Sequence, residues 1–243
     1  NKDDYILDAT CGSGGFLVKA MANMIREVGG MQTDAAAEIK SSHLFGIEFD
    51  REIYALACAN MLIHKDGKTN LEQMDARTES ACEWMKSKPI TKVLMNPPYE
   101  NKYGCMTIVE NVLDNVPSHT QCAFILPDKK LEKASKAQMK RILKNHRLRK
   151  VIKLPEDLFF GVGITTSIFV FEAGVGQDDK EFFACYMESD GLATVKNKGR
   201  HDIYGKWAAI EAHWVEVVEK QSGDDTCQWV NPAEHLSYQV PQK

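Results

Sequence analysis

Apolar and polar positions switch between two periods along the first 175 residues, and the switches outline a series of strands and helices. Tyr5-Ile6-Leu7-Asp8 is a short apolar run ending in an acid. Beyond a glycine-rich turn, apolar residues recur every four positions, at Phe16/Leu17, Ala20/Met21, Met24/Ile25 and Val28. This spacing predicts an amphipathic helix stopped by Gly29-Gly30. A polar stretch over 31–42 leads to a second strand, 43–48, which again closes on an acid, Glu48. Asp50 then reads as the cap of a helix carrying Ile53, Leu56, Ala57 and Met61 and stopping near Gly67. A third, weakly apolar strand is expected over 70–75 and a fourth over 92–95. Helical spacing returns at 107–116, and 122–127 is continuously apolar, as a strand covered on both faces should be. A basic helix over 135–144 and strands at 151–155 and 168–171 complete the pattern. The alternation predicts an α/β fold built on a doubly wound, mostly parallel sheet.

After Gly174 the texture changes. A further strand is expected over 181–187, and 194–205 is polar and basic. Trp207, Ile210, Trp214, Val217 and Val218 then mark one face of a helix ending at Gly223, a stripe that suits a core better than a docking surface. The tail over 226–243 has no readable period. The expected organisation is therefore a catalytic domain over 1–175 and a C-terminal extension over 176–243 that packs on the core or docks a partner.

Composition narrows the class without naming it. With 243 residues, 44% hydrophobic and 26% charged, the chain has the balance of a globular protein with a sizeable core. No apolar run approaches the length of a membrane span, and no signal peptide opens the chain. Seven cysteines are scattered and never spaced as C-x-x-C, which fits reduced thiols in a cytoplasm and gives no disulfide framework or zinc site. No metal is assigned. The net charge of −4 makes no blanket case for nucleic acid, yet residues 129–153 hold eleven Lys/Arg against the single acid Glu132. Such a run is either a solvated helix face or a strip for phosphates. The chain opens at Asn1-Lys2-Asp3-Asp4, without methionine and directly before a strand, as expected of a domain cut from something longer.

The chemistry concentrates at Asn96-Pro97-Pro98-Tyr99, which follows the fourth strand. In open α/β sheets ligands bind beyond that end of the strands. An exocyclic amine on an aromatic ring is a poor nucleophile, because its lone pair is delocalised. Two acceptors on its N–H bonds draw the nitrogen toward tetrahedral geometry and free that pair. The Asn96 side-chain oxygen can be one acceptor and the Pro97 carbonyl the other. Pro97 has its φ fixed, and Pro98 biases it toward extended ψ, so the carbonyl is aimed in advance. Tyr99 offers a ring for a base to stack on, worth roughly 1–3 kcal/mol. A proline-rich turn closing a strand is the competing explanation.

Three further features favour a nucleoside ligand. Gly12, Gly14 and Gly15 let a backbone approach it closely at a helix N-terminus. Their spacing is neither G-x-G-x-x-G nor a phosphate loop, which argues against a dinucleotide or ATP. Glu48 can accept both hydroxyls of a ribose, and Asp75 can accept from an adenine amine. Phe159 and Phe160, adjacent in a loop, are buried plugs unless one faces an extruded base from the side opposite Tyr99.

These residues resemble the N6-adenine DNA methyltransferase family, and most closely the modification subunit of type I restriction-modification systems. Asp8-Ala9-Thr10-Cys11-Gly12-Ser13-Gly14-Gly15-Phe16 is similar to the family's S-adenosyl-L-methionine loop, and Asn96-Pro97-Pro98-Tyr99 to its catalytic motif. Leu154-Pro155-Glu156-Asp157-Leu158-Phe159 and Gly163-Ile164-Thr165-Thr166-Ser167-Ile168 resemble the stretch that supplies a second base-contacting aromatic. The match covers about residues 3–175. It implies a Rossmann-like sheet of seven strands, the last antiparallel. It also implies cofactor contacts from Asp8, Thr10, Gly12, Gly14, Phe16, Glu48, Asp75 and Asn96, and catalysis by Asn96, Pro97 and Tyr99. The implied partners are double-stranded DNA, a specificity subunit and a restriction subunit. The family's helical region and cofactor-contacting segment ahead of the first strand are missing here, and the sequence offers no obvious target-recognition domain. Two other readings stay open: methylation of a glutamine amide or an RNA guanine amine, and a cofactor-binding assembly subunit without turnover.

Overall fold

The structure, a computed structural model, describes residues 1–64, 70–156, 158–159 and 163–241. In chain order the first half comprises β1 (Ile6–Asp8), α1 (Gly15–Glu27), α2 (Asp34–Ser42), β2 (Leu44–Glu48), α3 (Arg51–Ile63), β3 (Asn70–Gln73), α4 (Glu79–Lys86) and β4 (Lys92–Met95). A short 3-10 turn at Asn101–Tyr103 leads to α5 (Cys105–Asn115) and β5 (Gln121–Pro127). Then follow α6 (Lys136–Asn145), β6 (Arg147–Lys153), β7 (Thr166–Glu172), β8 (Phe182–Tyr186), β9 (Ala193–Val195), β10 (Gly199–His201), α7 (Trp207–Lys220) and β11 (Cys227–Val230). Among the described residues no helix is long and apolar enough to cross a membrane.

The central sheet runs β11-β8-β6-β7-β5-β4-β1-β2-β3. The pairs β1–β2, β1–β4, β2–β3, β4–β5 and β6–β8 are parallel, whereas β8–β11 is antiparallel. The expected mostly parallel α/β sheet is present, but it has nine strands and not seven. The difference comes from the C-terminal segment. In β8, Phe182, Phe183, Ala184 and Cys185 are all buried, which they achieve by joining β6 on one side and β11 on the other. Strand order reverses at β1, whose neighbours are β2 and β4, so the crevice beyond these strands is a topological switch point.

By packing, the chain divides into two compact units: Asn1–Phe124 with Arg141–Arg147 and Phe171–Gly176, and Ile125–Lys140 with Leu148–Val170 and Gln177–Lys243. In the first unit the strands are covered on two faces because alternate side chains point opposite ways. Ile6, Leu44 and Leu71 pack with Leu17, Met21, Met24 and Ile25 of α1, Ala36 and Ile39 of α2, and Ala57 and Met61 of α3. Phe45, the next residue along β2, instead meets Trp84 of α4 edge-on. Each fully buried leucine or methionine in this layer contributes on the order of 1.5–3 kcal/mol. Gly46 is required on the α1 side: a β-carbon there would lie 2.4 Å from Leu71 Cδ2 and 3.0 Å from Leu17 Cδ1.

Two helices of this unit depart from the sequence expectation. The polar stretch ahead of β2 contains α2, capped by Thr33 Oγ1 accepting from the Ala36 N–H, and α4 forms behind the similar cap of Thr78. Each buries only two side chains, Ala36 and Ile39 in one and Ala81 and Met85 in the other, too few to set a period. The expected Asp50 cap is present, with its carboxylate accepting from the Glu52 and Ile53 N–H groups. The expected stop near Gly67 lies outside the described residues.

In the second unit, Ile152, Leu154, Phe183, Cys185, Met187 and Val217 form the core, with Ile210, Trp214 and Val218 packed against it. The α7 stripe is therefore core-facing apart from Trp207, which is 37% exposed. The polar, basic segment contains the β9–β10 hairpin, and the unpatterned tail supplies β11.

Candidate active site

The switch point opens into a cavity of about 430 Å³, within the range of small-molecule sites. Ala9, Thr10, Glu48, Asp75 and Asn96 line it, with Phe49, Ile53, Met74, Ala76, Arg77, Pro98, Tyr103 and Ile108. β4, β1, β2 and the edge strand β3 lie side by side in that order, so the polar residues that follow them emerge together at one rim.

The glycine loop is held from both sides. The Gly12 N–H donates to Glu48 Oε2 at 2.9 Å, the Cys11 N–H to the Ile47 carbonyl at 2.9 Å, and Asn60 Nδ2 to the Ser13 carbonyl at 2.9 Å. Gly14 begins α1 at φ 84°, the left-handed region that favours glycine. Asp8, beneath this loop, is buried and accepts from the Thr10 N–H at 3.0 Å. Burial pushes its pKa up to about 7, against the lowering effect of that hydrogen bond, and the Glu48 carboxylate adds to the rise. Glu48 Oε1 accepts from the Asp50 N–H at 2.9 Å, so backbone donors fix both its oxygens.

Beyond β3, Asp75 is arranged differently. Its Oδ1 accepts from the Arg77 backbone N–H at 2.9 Å and from Arg77 Nε at 2.9 Å, while Oδ2 accepts from Nη2 at 2.6 Å. These Arg77 contacts hold its carboxyl below the usual range. Beyond β4, Asn96 is exposed and Pro97 buried. The Tyr99 hydroxyl donates to Asn96 Oδ1 at 2.7 Å, and burial pushes the phenol up to about 12, so it remains a donor near neutrality. An amide oxygen has two lone pairs, so Asn96 keeps one acceptor position besides this bond.

Chemically, the cavity suits a nucleoside carrying a cationic arm. Thr10 Oγ1 is buried and has no hydrogen bond in the structure, an atom that a ligand would satisfy. Asp8 is a buried carboxyl that a cation would draw into its charged form. Phe49 and Ile53 present apolar surface, 63% and 42% exposed, at the cavity wall.

The family model for "N-6 DNA Methylase" matches residues 1–126 and 108–201. The chain belongs to the N-6 DNA methylase family. Among curated relatives, the "Type II restriction enzyme and methyltransferase RM.BcgI" of Heyndrickxia coagulans is 29% identical across 99% of this chain and 41% of that protein. A modification subunit of a putative type I restriction enzyme from Vibrio vulnificus YJ016 superposes with a TM-score of 0.71 at 17% identity, over 96% of this chain and 52% of that one. A putative class I S-adenosylmethionine-dependent methyltransferase from Listeria monocytogenes gives 0.62 at 20% identity, over 91% and 65%. At these identities the two structures establish a shared fold. The chain spans less than half of RM.BcgI and about half of the Vibrio subunit.

In this member of the family, Thr10, Glu48, Asp75 and Asn96 share one cavity wall. Asp8 and Gly12 are tied to it through Thr10 and Glu48, and Tyr99 through Asn96. Phe16, half-buried, and Gly14 lie in the first turn of α1 and at its cap. Phe159 belongs to the second unit and is half-buried, and Phe160 lies outside the described residues. Sequence reasoning missed Phe49 and Arg77. Phe49 had a signal, since a bulky apolar residue directly after a strand-end acid invites exposure beside a ligand. The Asp75-Ala76-Arg77 spacing had one too, since an aspartate commonly accepts from the N–H two residues on.

Proposed function

We propose that this chain carries the catalytic part of a DNA methyltransferase that transfers a methyl group from S-adenosyl-L-methionine to the N6 amine of adenine. Its role would be that of the modification subunit of a type I restriction-modification system, acting in the cytoplasm on double-stranded DNA with a specificity subunit and a restriction subunit. Residues 1–175 would form the catalytic part, and 176–243 an extension that supports it or meets a partner. The observation that carries this reading is that Asn96 is exposed and opens into the same cavity as Thr10, Glu48 and Asp75.

S-adenosyl-L-methionine, when bound, supplies an electrophilic methyl on its sulfonium. Asp8 holds the ammonium of the methionine arm, Gly12 and Gly14 allow close backbone approach, and Phe16 packs beside them. Thr10 satisfies its buried hydroxyl on the ligand. Glu48 accepts from the ribose, and Asp75 from the adenine amine. At the target, the second lone pair of Asn96 Oδ1 and the Pro97 carbonyl accept the two N–H bonds of the adenine amine. The nitrogen thereby regains its lone pair, and attack needs no covalent enzyme intermediate. Preorganised acceptors and orientation provide the rate enhancement. Tyr99 stacks on the target base, with Phe159 or Phe160 as the second aromatic.

RM.BcgI favours a second reading of the system: its name joins restriction and methylation in one protein, and it matches 99% of this chain. Activity on plasmid DNA without any added chain that reads sequence would support that reading over the type I assignment.

The test is transfer of tritiated methyl groups to unmethylated plasmid DNA, ribosomal RNA and protein, with and without a specificity partner. Label in N6-methyldeoxyadenosine is expected. Label confined to RNA guanine or to glutamine would replace the substrate, and no label under any condition would favour an assembly role.

A further inference from the structure

Arg77 is a surface arginine on the cavity wall, and its guanidinium turns back onto Asp75. A carboxylate offers about four acceptor positions. The Arg77 backbone N–H and Nε occupy Oδ1 at 2.9 Å each, Nη2 occupies Oδ2 at 2.6 Å, and Nε also reaches Oδ2 at 3.1 Å. The two-pronged contact fixes the plane of the carboxylate as well as its charge. The turn around the pair is fixed too. The Asp75 carbonyl accepts from Thr78 Oγ1 at 2.7 Å and from its N–H at 3.0 Å, and the Ala76 carbonyl accepts from Asn111 Nδ2 at 3.1 Å.

The arginine stem has a fitted seat. It lies over Gly104, which begins α5 at φ 68°, and a β-carbon there would sit 2.8 Å from Arg77 Cδ. This glycine follows Tyr103, itself part of the cavity wall, so the stem passes between the Asp75 turn and the segment leading away from Asn96-Pro97-Pro98-Tyr99. Neither contact is needed to hold a mobile surface charge. Three N–H groups, with Nε shared between the two oxygens, take three of the four positions, which leaves one lone pair of Oδ2 on a carboxylate of fixed orientation in the cavity wall.

We infer that Arg77 is a positioning residue that makes the cavity selective for a 6-aminopurine over a 6-oxopurine, by holding the Asp75 carboxylate as a fixed acceptor. The inference rests on the cofactor reading above and adds to it a residue that need not touch the ligand. A 6-amino group brings a donor to that lone pair. A 6-oxo group brings a second acceptor, which the held carboxylate cannot turn away from.

Calorimetric titration of the 243-residue chain with S-adenosylhomocysteine and S-inosylhomocysteine tests this. The wild type should prefer the adenine compound by about 10- to 100-fold, the scale of one hydrogen bond to a charged group. Asp75→Ala should abolish the preference. Arg77→Met, which keeps a stem over Gly104, should bring it within about threefold of the Asp75→Ala value. Arg77→Lys keeps the charge without the fork and should recover only part of the preference. Equal weakening of both compounds by Arg77→Met would mean a merely structural role and overturn the inference. A preference that persists or grows in that variant would also overturn it, the latter by showing that Arg77 itself met the 6-oxo group. If the wild type bound neither compound, the cofactor reading would fall and take this inference with it.

Discussion

Asp8 and Asp75 are the same residue type, each placed where a strand of one sheet gives out, yet their surroundings set opposite charge behaviour. Asp8 is buried under the glycine loop with a backbone N–H on one oxygen, and burial raises it to about 7. Asp75 is partly open, and the Arg77 fork lowers it. One carboxyl is thus poised to gain a cation and the other already has one. Asn96 resembles Asp75, since its oxygen is held by a neighbour, the Tyr99 hydroxyl. Position along the strand tells where an acid emerges, whereas its charge at neutral pH depends on what the tertiary structure puts beside it.

The largest effect that would break this contrast is on stability. Asp8 titrates near 7 in the folded chain and at about 3.9 when unfolded, so the folded state holds the extra proton between those values. The stability that Asp8 provides is complete below about pH 4 and is lost as pH rises to about 7. Urea melts across that window should show wild type losing stability relative to Asp8→Asn, and parallel curves would remove the raised pKa from the account. Measured against Asp75→Asn, which keeps Asp8, the wild type should show no such loss across the same window.

Ligand affinity should run the other way. On the proposed function Asp8 must be ionised to hold the ammonium of S-adenosylmethionine, so affinity should improve from pH 6 to pH 8. Asp8→Asn should weaken binding about 10- to 100-fold at pH 8 and flatten that dependence. A variant retaining the full slope would place the titrating group elsewhere.

The smallest of these effects concerns the hold on Asn96. Tyr99→Phe keeps the stacking ring and removes one neutral hydrogen bond, so kcat should fall only about 3- to 10-fold with cofactor affinity unchanged. Loss of cofactor binding in this variant would show that the hydroxyl serves the other end of the cavity.

Much of this site was legible in the chain because its parts are local. The β4 boundaries follow from one apolar run, and the tetrapeptide after it needs little tertiary context. The glycine loop and Glu48 are likewise marked by the strands they end. What escaped was decided by partners distant in sequence. β11 has no pattern of its own and becomes a strand by pairing with β8, more than forty residues earlier. α2 and α4 each bury only two side chains, so their caps, not their periods, were the available signals. The opposite ionisation of Asp8 and Asp75 could not be read from composition, because desolvation is a property of the folded interior.

The most direct test of the central claim is methyl transfer by Asn96→Ala, measured with tritiated S-adenosylmethionine on DNA beside calorimetric S-adenosylhomocysteine binding. The account predicts a fall in rate of about 10²–10³, as for loss of one preorganised hydrogen-bonding group, with cofactor affinity near that of the wild type. Turnover close to wild type in this variant would contradict it.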